Sequence, residues 1–334
     1  MKGIWYMILI SFTGLTLQAQ DVHFSQFYAA PLLVNPAQTG NFSGTARVGA
    51  NYRDQWGSIT VPYRTFDLYS DAGIQPGKSV NRFGIGLCVL SDQAGDGVLR
   101  SNRAQLSAAY HAMLNDDKTV RLSAGLSGGV VQRSLDFSKL TFDSQWNGYN
   151  FDSDLANQET GFREQFIYPD FGTGILLTMT PLPYARYYVG ASALHLNQPE
   201  ESFFTDGSNQ LGIRYLVTGG AYFPVSEQVS MSPAAYLSMQ KKALEVTTGT
   251  NFHIETDNGS NSAIFLLGLW YRYLDAAWFM AGYVTGNLTV SASYDFNFSG
   301  LTAASNTLGG LELAIIYTFN KSQHKDPLGC PAFE

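Results

Sequence analysis

The sequence predicts an all-β fold, a transmembrane antiparallel β-barrel of about fourteen strands, and three observations lead there. The first is strict alternation. Between Asn287 and Asn297, Leu288, Val290, Ala292, Tyr294 and Phe296 share one face, while Thr289, Ser291, Ser293, Asp295 and Asn297 share the other. A period of two marks a strand lying between two unlike environments. The second is length: the alternating segments run for roughly ten residues or more, enough to cross a bilayer as tilted strands. The third is the scarcity of charge, 14% of residues, against roughly 25% in a typical soluble domain. Aromatics reach 14%, which suits interfacial girdles around a polar lumen.

The chain opens with Lys2, an apolar stretch from Ile4 to Leu17, and Leu17-Gln18-Ala19. This pattern predicts a cleaved signal peptide over residues 1–19. A retained anchor is disfavoured because the apolar run is short and broken by Ser11, Thr13, Gly14 and Thr16. Residues 20–42 are then expected as a periplasmic or plug-like N-terminal segment, 43–320 as the barrel and 321–334 as a periplasmic C-terminal tail. No linker, charge block or low-complexity stretch divides the mature chain, and no later segment is apolar enough for a transmembrane helix.

The expected strands are 43–56, 60–73, 82–92, 100–113, 118–132, 168–179, 185–197, 211–224, 227–239, 243–256, 262–273, 276–285, 287–298 and 309–320. Turn chemistry at Asn115-Asp116-Asp117, Asp257-Asn258-Gly259 and Gly286-Asn287 lets neighbours pair as a meander. With both termini in the periplasm, strand parity puts short turns on that side and the longest connection, Arg133–Ile167, outside. Trp146, Tyr149 and Phe151 in this loop, with Phe24 and Tyr28 in the N-terminal segment, are candidate partner-binding residues.

Parity also assigns faces. Leu106, Ala108, Tyr110 and Ala112 are expected toward lipid, with Arg103, Gln105, Ser107 and His111 toward the lumen; Leu244, Val246, Phe252 and Ile254 oppose Glu245, Asn251, His253 and Glu255. In the first hairpin Arg47, Asn51 and Arg53 share the inward parity with Thr65, Asp67 and Asp71. Arg47, Arg53, Asp67 and Asp71 therefore form a candidate lumen charge network. It either closes the lumen or stands ready to hold a polypeptide or ion, and the need of buried charges for partners favours closure.

The composition argues against other classes. A net charge of −7 with 20 basic residues spread along the chain leaves no patch for nucleic acid. Cys88 and Cys330 are too few for a disulfide framework or a zinc site. His23, His111, His195, His253 and His324 are scattered, without a catalytic motif. Asn251, His253 and Glu255 share a strand face, but a polar lumen asks for that in any case. Neither an enzyme, nor a cofactor, nor a metal is indicated. The glycines of Gly84-Ile85-Gly86 and Gly125-Leu126-Ser127-Gly128-Gly129 read as points of curvature or close contact within strands.

Specific runs raise a family resemblance. They are Phe24-Ser25-Gln26-Phe27-Tyr28, Pro31-Leu32-Leu33-Val34-Asn35-Pro36-Ala37 with Gly40, Tyr52-Arg53-Asp54-Gln55-Trp56, and Pro62-Tyr63-Arg64-Thr65-Phe66. Further along come Gly84-Ile85-Gly86-Leu87 with Asp92 and Gly95, Gly309-Gly310-Leu311-Glu312-Leu313, Tyr317-Thr318-Phe319 and Cys330-Pro331-Ala332-Phe333. The chain resembles the PorP/SprF family of outer-membrane proteins from the type IX secretion and gliding systems of Bacteroidota. The amino-terminal run and the element carried by Tyr52, Arg53, Gln55 and Trp56 are its specific motifs, the strand glycines are weak ones, and Gln93 and Ala332 depart from a common lysine and arginine. The resemblance implies a barrel set among outer-membrane lipids. It would be needed for export or surface attachment of secreted proteins, its partners being secretion-machinery proteins or a large secreted adhesin. The alternative function on the same fold is a porin or a transporter of small hydrophobic molecules.

Overall fold

The computed structural model describes residues 21–57, 61–77, 79–95, 98–152, 154–156, 160–182, 184–205, 207, 209–256, 263–299 and 306–320. The expected leader and C-terminal tail, including Cys330, lie outside the described residues.

Fourteen antiparallel strands close into a single barrel, each paired with its neighbours in sequence and β1 with β14. They are β1 Ala46–Gln55, β2 Tyr63–Ile74, β3 Arg82–Ala94, β4 Leu99–Met113, β5 Val120–Ser134, β6 Gln165–Leu182 and β7 Ala185–Leu194. The second half comprises β8 Arg214–Pro224, β9 Val229–Gln240, β10 Ala243–Thr256, β11 Ala263–Arg272, β12 Ala276–Thr285, β13 Leu288–Asn297 and β14 Leu308–Phe319. Closure leaves no unpaired edge, which is the condition for a sheet to sit in hydrocarbon. The fourteen expected strands all occur, with boundaries moved by a few residues. Among the described residues no helix is long and apolar enough to cross a membrane.

Burial alternates as parity demands. On β4, Arg103, Gln105, Ser107 and His111 are buried in the lumen, whereas Leu106 and Tyr110 are exposed on the outer wall. The apolar face thus lies outside, and the protein's interior is the polar face of the wall against whatever fills it.

What fills it is the chain's own residues 21–43. This segment contains a short helix, α1 (Pro31–Val34), and 3-10 turns at Phe27–Ala29 and Pro36–Gln38. Prolines fit here at first helical positions, where no N–H is needed. Almost every side chain from Phe24 to Ser43 is buried. The segment runs the length of the lumen. Asp21 lies by Arg103, His195 and Arg214 at the long-loop rim, while Asn41 meets Arg121 at the rim where β1 begins and β14 ends. Of the expected "periplasmic or plug-like" placement, the observed position is inside the barrel. Asp21 is at the opposite rim from Phe319, so the two ends of the described chain do not share a side.

Candidate functional site in the filled lumen and at the long-loop rim

The inner wall recognises the enclosed segment largely through its backbone. Glu312 on β14 accepts the N–H groups of Ser25 and Gln26 at 2.6 and 2.8 Å. Asn51 on β1 donates to Ala29 O, and Ser192 on β7 donates to Val34 O. Arg82 donates to Phe42 O at 2.8 Å. Side chains complete the fit: Gln26 bonds Ser291 and Ser293, and Asn35 donates to Ile175 O. Phe27 and Tyr28 pack on Trp270, which Asn251 holds through its indole N–H.

Two strand glycines make room for this segment. A Cβ on Gly84 would lie 1.9 Å from Thr39 O, and one on Gly125 would lie 2.4 Å from the Pro36 carbonyl. Close contact is therefore the role these glycines play: Gly125 lies against Pro36-Ala37, and Gly84 against Thr39-Gly40.

The candidate charge network is divided among several partners. Arg47 pairs with Asp71, bidentate at 2.9 and 3.0 Å, directly across the first hairpin as the register requires. Asp71 also accepts from Gly40 N–H. Asp67 accepts instead from Asn51 Nδ2 and from the Cys88 thiol. Arg53 faces Thr65 on β2 but pairs across the closure seam, 2.5 Å from Glu312 and 3.3 Å from Asp295. Ser25 donates to Asp295, and Arg53 donates to Ser25, which ties the segment to the seam.

The first-hairpin reading missed Glu312 and Asp295. Both were legible, since each has inward parity between apolar outward neighbours and closure sets Glu312 opposite Arg53. A second cluster had no such signal. Asp21, His195 and Asp170 come together from 174 and 25 residues apart, with His195 Nε2 2.9 Å from Asp21 and Nδ1 2.8 Å from Asp170. Burial of His195 opposes its protonation, but the Asp21 charge and hydrogen bonds to Asp170 and Asp21 push its pKa up to about 9.

Phe24 and Tyr28, candidates for partner binding, are enclosed in the lumen. Trp146, Tyr149 and Phe151 lie on the loop from β5 to β6 at the long-loop rim. This loop is folded: Trp146 bridges Phe151, Phe162 bridges Phe204 of the next long loop, and Phe137 stacks on Phe162. Gln145 ties Phe142 to Leu155 through its side chain. Trp146 and Phe151 are half exposed, and Tyr149 at the tip is 93% exposed. Asp136, Asp143, Asp152, Asp154 and Glu164 outnumber Lys139 and Arg163 there. In the motif on β1, Tyr52 faces outward with its hydroxyl on Asp54, Arg53 faces the lumen, and Gln55 ends the strand. Trp56 donates its backbone N–H to Gly309 O, and its ring packs on Tyr63.

The family described as Type IX secretion system membrane protein PorP/SprF matches residues 16–317. The chain belongs to the PorP/SprF family. No curated protein matches it in sequence. Among solved structures, this PorP/SprF protein is similar to the Ralstonia pickettii toluene transporter TbuX, at 12% identity and TM-score 0.51, covering 88% of this chain and 94% of that one. The monoaromatic hydrocarbon channel CymD shares 14% identity at TM-score 0.49, with 87% and 93% covered. The Pseudomonas putida toluene transporter TodX shares 11% at TM-score 0.47, with 86% and 91% covered. At such identities the likeness to TbuX concerns the fold alone. Family and fold together make this PorP/SprF protein an outer-membrane β-barrel of the type IX secretion system.

Proposed function

We propose that the protein serves type IX secretion as a closed barrel that supports export by anchoring or presenting a secreted protein, such as a large adhesin, at the cell surface. Gliding motility is a process that such an anchored adhesin would serve. The observation that carries this reading is the lumen filled from rim to rim by residues 21–43, which leaves the rims, not a channel, as working surface. The long-loop rim is taken to face outside because the short turns gather at the other rim. Its exposed Trp146, Tyr149 and Phe151 are side chains of the type that dominate protein interfaces. The Phe24–Pro36 run is enclosed in the lumen, so contact with periplasmic machinery falls to Lys321–Glu334. No catalytic role is proposed: of the polar residues sharing a face on β10, Asn251 holds the Trp270 indole and His253 bonds Ser232.

Conductance in planar bilayers tests closure: the wild type is expected to stay shut, and free passage of large solutes would favour the porin or hydrophobic-molecule transporter. Deleting Trp146–Gln158 tests the rim. Surface display of one type IX substrate is expected to fail while barrel levels hold. Normal display of every substrate would remove the loop from the mechanism.

A further inference from the structure

The outer wall is hollowed where the barrel closes. A depression of about 640 Å³ spans β11 to β14, β1 and β2, lined by the small side chains Ala50, Ala281 and Ala292 and flanked by Phe66, Tyr283 and Leu313. The register makes this a continuous row, with Ala281 beside Ala292, Ala292 beside Leu313, Leu313 beside Tyr52 and Tyr52 beside Phe66. On β4 and β5 the lipid-facing positions Leu106 and Leu126 are large. Small lipid-facing residues there stand beside large ones, Ala108 next to Leu126 and Ala124 next to Tyr110, whereas Ala281 and Ala292 stand side by side. A hollow in a wall that faces hydrocarbon is covered by hydrocarbon, because a polar chain there would lose its hydrogen bonds.

A cation stands at the long-loop end of this hollow. Arg64 lies two residues beyond Phe66 on the same side of β2, about 7 Å along the strand. Its side chain is 58% exposed, and its Nε donates to Asp54 Oδ2 at 3.1 Å. Tyr52, which lines the hollow, donates its hydroxyl to the same oxygen at 3.2 Å. Asp54 thus fixes the guanidinium through Nε. Its two Nη groups, without a partner among the described residues, are left to make the paired bonds that guanidinium makes with phosphate.

We propose that the hollow and Arg64 form a site for one phosphate-bearing membrane lipid, with an acyl chain along the alanine row and the phosphate on the guanidinium. This inference needs the outer-membrane setting but not the anchoring role. Native mass spectrometry of the full chain in detergent tests it, with phosphatidylglycerol, diacylglycerol and inorganic phosphate as separate probes. Phosphatidylglycerol is expected to be retained at one per chain and diacylglycerol about tenfold less, the effect of one lost charged contact of ordinary strength. Inorganic phosphate alone is expected not to be retained. Ala292→Phe, which fills the hollow from the lipid side, should abolish retention, and Arg64→Gln should bring phosphatidylglycerol down to the diacylglycerol level. Leu126→Phe, on the outer face of β5, should leave retention unchanged. All three substitutions face outward, and heat-modifiable migration reports whether the barrel is intact. Equal retention of the two lipids, no retention by the wild type, or variants indistinguishable from wild type would each overturn the site.

Discussion

Leu106 and Leu32 are the same side chain in opposite settings. Leu106 projects from β4 into the lipid at 66% exposure, and Leu32, in the enclosed segment, is 1% exposed. In the wall, a residue's place follows from its neighbour two positions away, and the apolar face needs only to be apolar. In the segment nothing repeats. Each residue is placed by the wall group it meets: Ser25 by Asp295, Ala29 by Asn51, Thr39 by His111. The barrel therefore has a permissive outside and a specific inside, as a water-soluble domain has, but with the polarity of the two reversed. Its close packing belongs to the contact between wall and segment, where a lost partner leaves a buried polar group unpaired.

The sharpest way to break this comparison is Glu312→Ala. It removes the partner of Arg53 and of two backbone N–H groups at once. Breaking a buried pair by removing one partner costs roughly 3–5 kcal/mol, and Asp295, 3.3 Å from Arg53, offsets part of that loss. The expected result is a lower unfolding temperature for the folded, fast-migrating species, together with transient conductance as the segment loosens. Leu106→Ala, by contrast, trims a side chain that lipid surrounds and should leave both readings near wild type. Equal losses from the two substitutions would mean that wall and interior are not energetically distinct.

A smaller effect is expected from Gly84→Val. The added Cβ would collide with the Thr39 carbonyl, a backbone atom that cannot rotate aside. Overpacking costs roughly 1–3 kcal/mol, and the strain should appear as proteolytic access to the segment with the strand content unchanged. Ile85→Val, next along β3 and facing outward, is the matched control. Protection equal to wild type in Gly84→Val would show that the segment has room to shift.

The same division explains how much could be read from the residues alone. All fourteen strands, their faces and the Arg47–Asp71 pair follow from a period of two and one hairpin register. The seam pairing of Arg53 with Glu312 required a second step, the closure of β1 on β14, because the two residues are 259 positions apart. The path of Asp21–Ser43 through the lumen has no periodic signature. Its proline-rich, apolar sequence would serve equally as a lead-in to the first strand. Nor does parity identify an outward cation such as Arg64, which looks like an interfacial charge until the hollow beside it is seen.

The smallest expected effect lies where wall and segment meet at the long-loop rim. His195 bridges Asp21 of the segment and Asp170 of β6, with Arg103 and Arg214 also within reach of Asp21. Its pKa in the folded chain, about 9, lies above the roughly 6.5 of an unperturbed histidine. Protonation therefore favours the folded arrangement. The contribution is fully present below about pH 6.5 and is lost as the pH rises through about 9. Because Arg103 and Arg214 remain charged throughout, Asp21 keeps two cationic neighbours, so loosening should be confined to the tip of the segment. Hydrogen exchange should then show faster exchange around Asp21–His23 between pH 7 and 10, after correction for intrinsic rates, with Thr39–Asn41 unchanged. In His195→Gln the tip should exchange quickly at every pH. A pH-independent tip in the wild type would mean that the two arginines alone hold Asp21, and that His195 plays no part in closing this mouth.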